Sequence, residues 1–141
     1  MSDKKKKKVL FLCTHNSARS QMAEGILRNL YGDKFEVFSA GTEPSRVNPY
    51  AIQAMQEIGI DISAHSSKSI DKFEEAKIDY VVTVCDHAKE SCPTFPGAEH
   101  NIHKGFSDPS KFRGKNEEIL LGFRQVRDEI RSWIQEEFEN K

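Results

Sequence analysis

The 141-residue chain has few cysteines, almost no charge bias and no long apolar run, and each shortage excludes something. No segment approaches the ~20 consecutive apolar residues that span a bilayer, so no membrane association is expected. The apolar stretch behind the N-terminal lysines is only about five residues, short of the ~7–15 in the apolar core of a secretory signal. Three cysteines, an odd number, argue against a disulfide framework and for a compartment where thiols start reduced, so a cytoplasmic protein is expected. A formal net charge of −1 leaves no overall field to favour nucleic acid. The one strong like-charge run is Lys4 to Lys8. Residues 1–7 are therefore read as a flexible basic tail and residues 8–141 as a single domain, with no repeat and no linker to divide it. His100 and His103 do not combine with the cysteines in any common zinc spacing, and neither a metal nor a cofactor is expected.

What is present is an alternation of short apolar runs with helical patterns. Val9 to Leu12 is apolar throughout and bounded by polar residues, as suits a strand buried on both faces of a parallel sheet. Met22, Ala23, Ile26, Leu27 and Leu30 recur at helical spacing, with Ser20 as the expected N-cap, Glu24 as first-turn negative charge and Gly32 as the stop. Phe35 to Ala40 reads as a second strand, and Asn48-Pro49 opens a second helix through Met55 and Ile58. Ile70, Phe73 and Ala76 suggest a short helical segment. Tyr80 to Val84, β-branched and aromatic, is a third strand, and a fourth is expected within His100 to Phe106. A long amphipathic helix runs from Asn116 nearly to the end, with Ile119, Phe123, Val126, Ile130, Trp133 and Ile134 on one face. This alternation predicts an α/β fold, a four-stranded parallel sheet with helices on both faces, with ligands at the carboxyl ends of its strands. Cys13 and Cys85 both stand at such ends.

The stretch Cys13-Thr14-His15-Asn16-Ser17-Ala18-Arg19-Ser20 joins the first strand to the first helix. A loop of this length turns several backbone N–H groups inward around an anion. Arg19 adds a planar, permanently charged fork that pairs two oxyanion oxygens at once. Positive surroundings favour thiolate over thiol, moving a cysteine from ~8.5 into a range of ~3.5–7.5, and a hydroxyl from Ser17 or Ser20 adds to the effect. The loop from Thr14 to Arg19 is thus a candidate oxyanion cradle, with Cys13 as nucleophile.

Leu12 to Gly25, followed by Ser39-Ala40-Gly41-Thr42, resembles the low-molecular-weight tyrosine phosphatase superfamily. Ser20-Gln21-Met22-Ala23-Glu24, with Val84-Cys85 and Cys92-Pro93, makes its thioredoxin-coupled arsenate reductases the nearest likeness. The resemblance covers nearly the whole chain and implies the same four-stranded parallel sheet. It also implies a relay: Cys13 attacks arsenate, Cys85 attacks Cys13 with release of arsenite, and Cys92 forms the final disulfide with Cys85 for thioredoxin to reduce. Were the Cys85–Cys92 segment helical, a rise of ~1.5 Å per residue would hold the two Cα atoms roughly 10 Å apart. A disulfide needs about 4.4–6.8 Å, so that segment would have to unwind.

Asp108, in Ser107-Asp108-Pro109, matches the family's general acid. Some members of the reductase family carry a potassium site whose positions match Asn16, Glu24 and Ser39 here, but Lys68 stands where the family carries a carboxylate, so no potassium dependence is expected. Partners implied are arsenate, with phosphate or sulfate as analogues, and thioredoxin, with the protein a monomer. Two other readings use the same residues. A phosphomonoester hydrolase would need the loop and Asp108 but neither Cys85 nor Cys92, and no aromatic residue follows Asp108-Pro109 as in phosphatases of this family. A non-enzymatic thiol cluster binding arsenite or a soft metal would need neither Arg19 nor Asp108.

Overall fold

In a computed structural model, which describes residues 6–86 and 95–141, the chain builds a four-stranded sheet in which every pairing is parallel. Its elements are β1 (Lys7–Cys13), α1 (Arg19–Tyr31), β2 (Phe35–Gly41), α2 (Pro49–Gln56), β3 (Ile78–Thr83), β4 (Ala98–His103) and α3 (Asn116–Phe138). Short 3-10 turns lie at Ile70–Phe73, where a helical segment was expected, and at Pro109–Lys111. The strand order β2-β1-β3-β4 puts β1 in the interior of the sheet, which explains why Val9 to Leu12 is apolar at every position: each of the four is fully buried.

Alternate residues of β1 serve opposite faces. Val9 and Phe11 join the larger core, against α1, α2 and α3, where Met22, Ile26, Met55, Phe123, Ile130 and Phe138 are buried. Leu10 and Leu12 join a smaller cluster with Val81 and Phe95, covered by Ile70 and Phe73 of the 3-10 turn. Helical segments therefore cover both faces, with the long helices on one. Among the described residues no helix is long and apolar enough to cross a membrane.

Several boundaries differ from the sequence expectation. The first strand begins at Lys7, which pairs with Phe35, so ordered structure reaches into the stretch read as tail. The Lys8 amide donates to the Asp79 carboxylate at 2.8 Å. The first helix starts at Arg19 with Ala18 at the cap position and no side-chain cap, so Ser20 lies inside the helix, and no acidic residue stands in its first turn. Ser20 and Glu24 are instead turned into the site described below. The fourth strand ends at His103, yet the chain keeps company with β3 beyond it, through Lys104 N–H to the Thr83 carbonyl (2.9 Å) and Phe106 N–H to the Val84 carbonyl (3.1 Å).

Candidate active site

The carboxyl ends of β1, β2 and β3 converge on the loop from Cys13 to Arg19. Gly41, at the end of β2, makes that approach possible. A Cβ there would fall 2.5 Å from the Thr14 carbonyl and 2.9 Å from the Asn16 nitrogen, so only glycine lets β2 pass under the loop. The loop is braced from two further segments. Thr14 carbonyl accepts from Glu43 N–H (2.9 Å), Ser17 carbonyl from Asn48 N–H (2.9 Å), and His15 carbonyl from the Ser67 hydroxyl (2.9 Å).

Its keystone is Asn16, fully buried and in the left-handed backbone region at φ 49°, which asparagine tolerates better than most residues. The Asn16 amide nitrogen donates to Ser20 Oγ (2.8 Å) and Ser39 Oγ (2.9 Å), and its Oδ1 accepts from Lys68 N–H (2.8 Å) and Gln21 Nε2 (3.0 Å). These contacts link the loop to Ser20, Ser39 and Glu24 in one chain of bonds. Glu24 can only accept, so Ser39 donates to it (2.5 Å) and must accept from Asn16. The other amide hydrogen of Asn16 goes to Ser20, whose Oγ lies 2.9 Å from Cys13 Sγ and can donate its own proton to a thiolate there. With the sulfur as acceptor, this is a charge-assisted hydrogen bond to a thiolate. Of the two serines expected to serve it, Ser20 is the partner. Ser17 lines the cavity, and among the described residues its hydroxyl makes no bond to the sulfur.

Behind this chain lies a half-buried ionic cluster. Glu24 meets Arg28 at 2.5 Å, and His65 and Lys68 at 3.9 Å. His65 Nδ1 faces Gln21 Oε1 (2.9 Å), an acceptor, while Nε2 faces the Arg28 guanidinium (3.1 Å), a donor. Those partners require a neutral ring protonated on Nδ1. Burial, with Arg28 and Lys68 acting in the same sense, holds the His65 pKa below its ordinary value against the pull of Glu24. Burial likewise lowers Lys68, despite Glu24, with Arg28 and Lys72 adding to the effect. The Lys68 ammonium donates to the Ser66 carbonyl (2.7 Å). Gln21 and His65 carry no motif of their own. The one hint of Gln21 was the Ser20-Gln21-Met22 continuation of the loop.

Arg19, 4% exposed, is anchored by its Nη1 on the Phe106 carbonyl (3.2 Å), and its Nη2 lies 3.6 Å from Asp108 Oδ2. Asp108 caps the 3-10 turn, its Oδ1 accepting from the Ser110 amide (3.0 Å) and hydroxyl (2.7 Å), so Oδ2 is the oxygen presented to Arg19. Cys13 and Arg19 of the loop and Asp108 from a distant stretch line one small cavity together with His15, Ser17, Ala18 and Ser110. Cys13 is a free thiol, whereas Cys85 is engaged in a disulfide and fully buried. Val84 N–H donates to the Leu12 carbonyl at 2.9 Å, laying the Cys85 segment beside the end of β1. Cys92, and the question of whether residues 86–91 form a helix, fall outside the described residues past Asp86. His100 stacks on Tyr80 (5.1 Å) and His103 Nδ1 meets Thr83 Oγ1 (2.8 Å).

A free, buried cysteine at the end of the first strand, an arginine six residues on and an aspartate across the cavity make an arrangement that can hold a tetrahedral oxyanion against a thiol. Residues 8–140 match the model of low molecular weight phosphotyrosine protein phosphatases. The chain is 52% identical over 125 residues to an arsenate reductase of Halalkalibacterium halodurans, a match covering 89% of this chain and 90% of that one. Its structure is similar to that of an arsenate reductase in the reduced state, with a TM-score of 0.76 at 36% identity, covering 92% of this chain and 95% of the other. It is also similar to a thioredoxin-dependent arsenate reductase of Corynebacterium glutamicum, with a TM-score of 0.63 at 30% identity, over 95% of this chain and 64% of that one. The chain belongs to the low molecular weight phosphotyrosine protein phosphatase family, alongside its arsenate reductases.

Proposed function

We propose that the protein reduces arsenate to arsenite with electrons drawn from its own cysteines and returned by thioredoxin. The observation that carries this reading is the second cysteine at the same sheet edge: the bond from Val84 N–H to Leu12 sets the Cys85 segment beside Cys13. Hydrolysis of a phosphate ester gives Cys85 nothing to do.

Arsenate enters the loop with its oxygens on the backbone N–H groups and the Arg19 fork. Cys13 thiolate attacks arsenic, and Asp108, through Oδ2, supplies the proton that lets an oxygen leave as water. Cys85 then attacks the Cys13 sulfur. The electron pair of the sulfur–arsenic bond stays with arsenic, which departs as arsenite, and a Cys13–Cys85 disulfide remains. Cys92 attacks Cys85, freeing Cys13 as thiolate, and the Cys85–Cys92 disulfide is reduced by the thioredoxin dithiol. The protein acts as a monomer in the cytoplasm, where both reductant and reduced thiols are available.

Cys92→Ser should confine the enzyme to a single turnover, read as one arsenite released per chain in the presence of excess thioredoxin. Sustained turnover by that variant would eliminate the relay. Asp108→Asn should lower the rate of the first step by about 10²- to 10⁴-fold, the usual contribution of a positioned acid. An unchanged rate would remove Asp108 from the mechanism.

A further inference from the structure

Arg19 depends for its direction on a residue outside the cavity it serves. Its guanidinium is planar, so contacts at its two ends orient the fork: Nη1 donates to the Phe106 carbonyl (3.2 Å), and Nη2 lies 3.6 Å from Asp108 Oδ2. The Phe106 carbonyl therefore has to stand in one place. On its amide side the backbone is tied to the end of β3, through Lys104 N–H to the Thr83 carbonyl (2.9 Å) and Phe106 N–H to the Val84 carbonyl (3.1 Å). Gly105 lies against the Cys85 carbonyl, which a Cβ there would approach to 3.0 Å. On its carboxyl side the chain leaves the sheet for the 3-10 turn that Asp108 caps. The Phe106 ring holds the residue at that exit. It is 5% exposed and shares the larger core with Cys13 and Cys85. It meets Trp133 of α3 edge to face, with ring centroids 6.4 Å apart at 73°, and Trp133 is itself braced by Phe138 at 5.9 Å. Neither Phe106 nor Trp133 lines the oxyanion cavity.

We propose that Phe106, backed by Trp133, is a positioning residue for oxyanion binding: its packed ring aims the carbonyl that turns the Arg19 fork toward the anion. This rests on the reading of the loop as an oxyanion cradle. An arginine with free rotamers would lose that freedom each time an anion arrived, and the loss would come out of the affinity. A fork already anchored on a fixed carbonyl has lost it in advance. Loosening the ring lets the carbonyl drift, and a group displaced by about 1 Å can forfeit about a hundredfold of its effect.

The test is calorimetric binding of inorganic phosphate to the reduced full-length protein, with urea unfolding of each variant to show that it is folded. Trp133→Ala, which removes a half-buried ring remote from the anion, should weaken phosphate binding by about tenfold or more. Phe106→Leu, which keeps an apolar side chain but loses the edge contact, should do the same. Trp133→Phe restores an aromatic partner and should bind within about threefold of wild type. Phe73→Ala is the control: it removes an aromatic contact with Phe38 on the other face of the sheet, and phosphate affinity should stay within about twofold. Unchanged phosphate affinity in Trp133→Ala and Phe106→Leu overturns the proposal. So does an equal loss in Phe73→Ala, which would make the effect one of general loosening, or a failure of Trp133→Phe to restore binding. Wild-type protein that binds no phosphate would instead overturn the cradle reading on which the proposal rests.

Discussion

Ser20 Oγ accepts from the Asn16 amide and lies 2.9 Å from Cys13 Sγ, placed to donate its hydroxyl proton to a thiolate. Removing that donor should slow alkylation of Cys13 at neutral pH. Ser20→Ala is expected to react with iodoacetamide about ten- to a hundredfold more slowly, the equivalent of one hydrogen bond to a charged group; Ser17→Ala should react like wild type. The Lys68 ammonium, 3.9 Å from Glu24, stands where it supplies positive charge beside a buried carboxylate. Activity should accordingly be the same in potassium and sodium salts at equal ionic strength, and a rise specific to potassium would refute this role. His65 yields a pH prediction of known sign. Its folded pKa is lowered, so the unfolded chain takes up the proton first as pH falls below about 6.5, and native stability should decline from there down through the folded value. Urea unfolding of wild type and His65→Gln between neutral and mildly acidic pH checks it: the variant should lose part of that slope. At this scale the spacing of one loop pointed to Cys13 and Arg19, which line the same cavity. The part played by Asn16 was not, because its partners Ser39 and Lys68 arrive from elements distant in sequence.

The start of α1 shows how an element is shaped by the site it serves. Sequence preference favoured Ser20 as the cap, yet the helix begins earlier at an Ala18 cap without a side-chain acceptor. Its first N–H groups are then left to face the anion loop rather than a capping oxygen. Helix α3 carries a packing constraint equally hidden from periodicity. Gly122 lies inside it, where a Cβ would fall 2.0 Å from the Phe112 ring. Gly122→Ala should therefore destabilise the protein by about 1–3 kcal/mol in urea unfolding, although alanine is the better helix former by about 1 kcal/mol. Stabilisation would mean that Phe112 swings away freely. The identities of β1 to β3 and of α1 to α3 were legible because their buried faces impose their periods. The end of β4 was not, since residues 104–106 continue to hydrogen-bond with β3 outside the strand proper.

Across the whole molecule, the sheet, the loop and the C-terminal helix form one mechanical unit. Phe138, near the end of the chain, is fully buried and packs on Phe11 and Phe35 of the first two strands. The C-terminal helix thus holds down the strands whose far ends carry Cys13 and Gly41. The order of strands brings three catalytic candidates from three separate stretches, Cys13, Cys85 and Asp108, to the same edge. Periodicity revealed that the strands exist, and the parallel βαβ pattern implied their shared direction. Which strands are neighbours was encoded in neither, and the order β2-β1-β3-β4 is seen only in the structure. The claim that most depends on this convergence is that attack by Cys13 ends in electron transfer. It is tested by following oxidation of reduced thioredoxin on addition of arsenate, with phosphate as the control anion. Oxidation that requires arsenate and disappears in both Cys13→Ser and Cys85→Ser is the predicted result. Thioredoxin left reduced while the protein hydrolyses a phosphate monoester would contradict it.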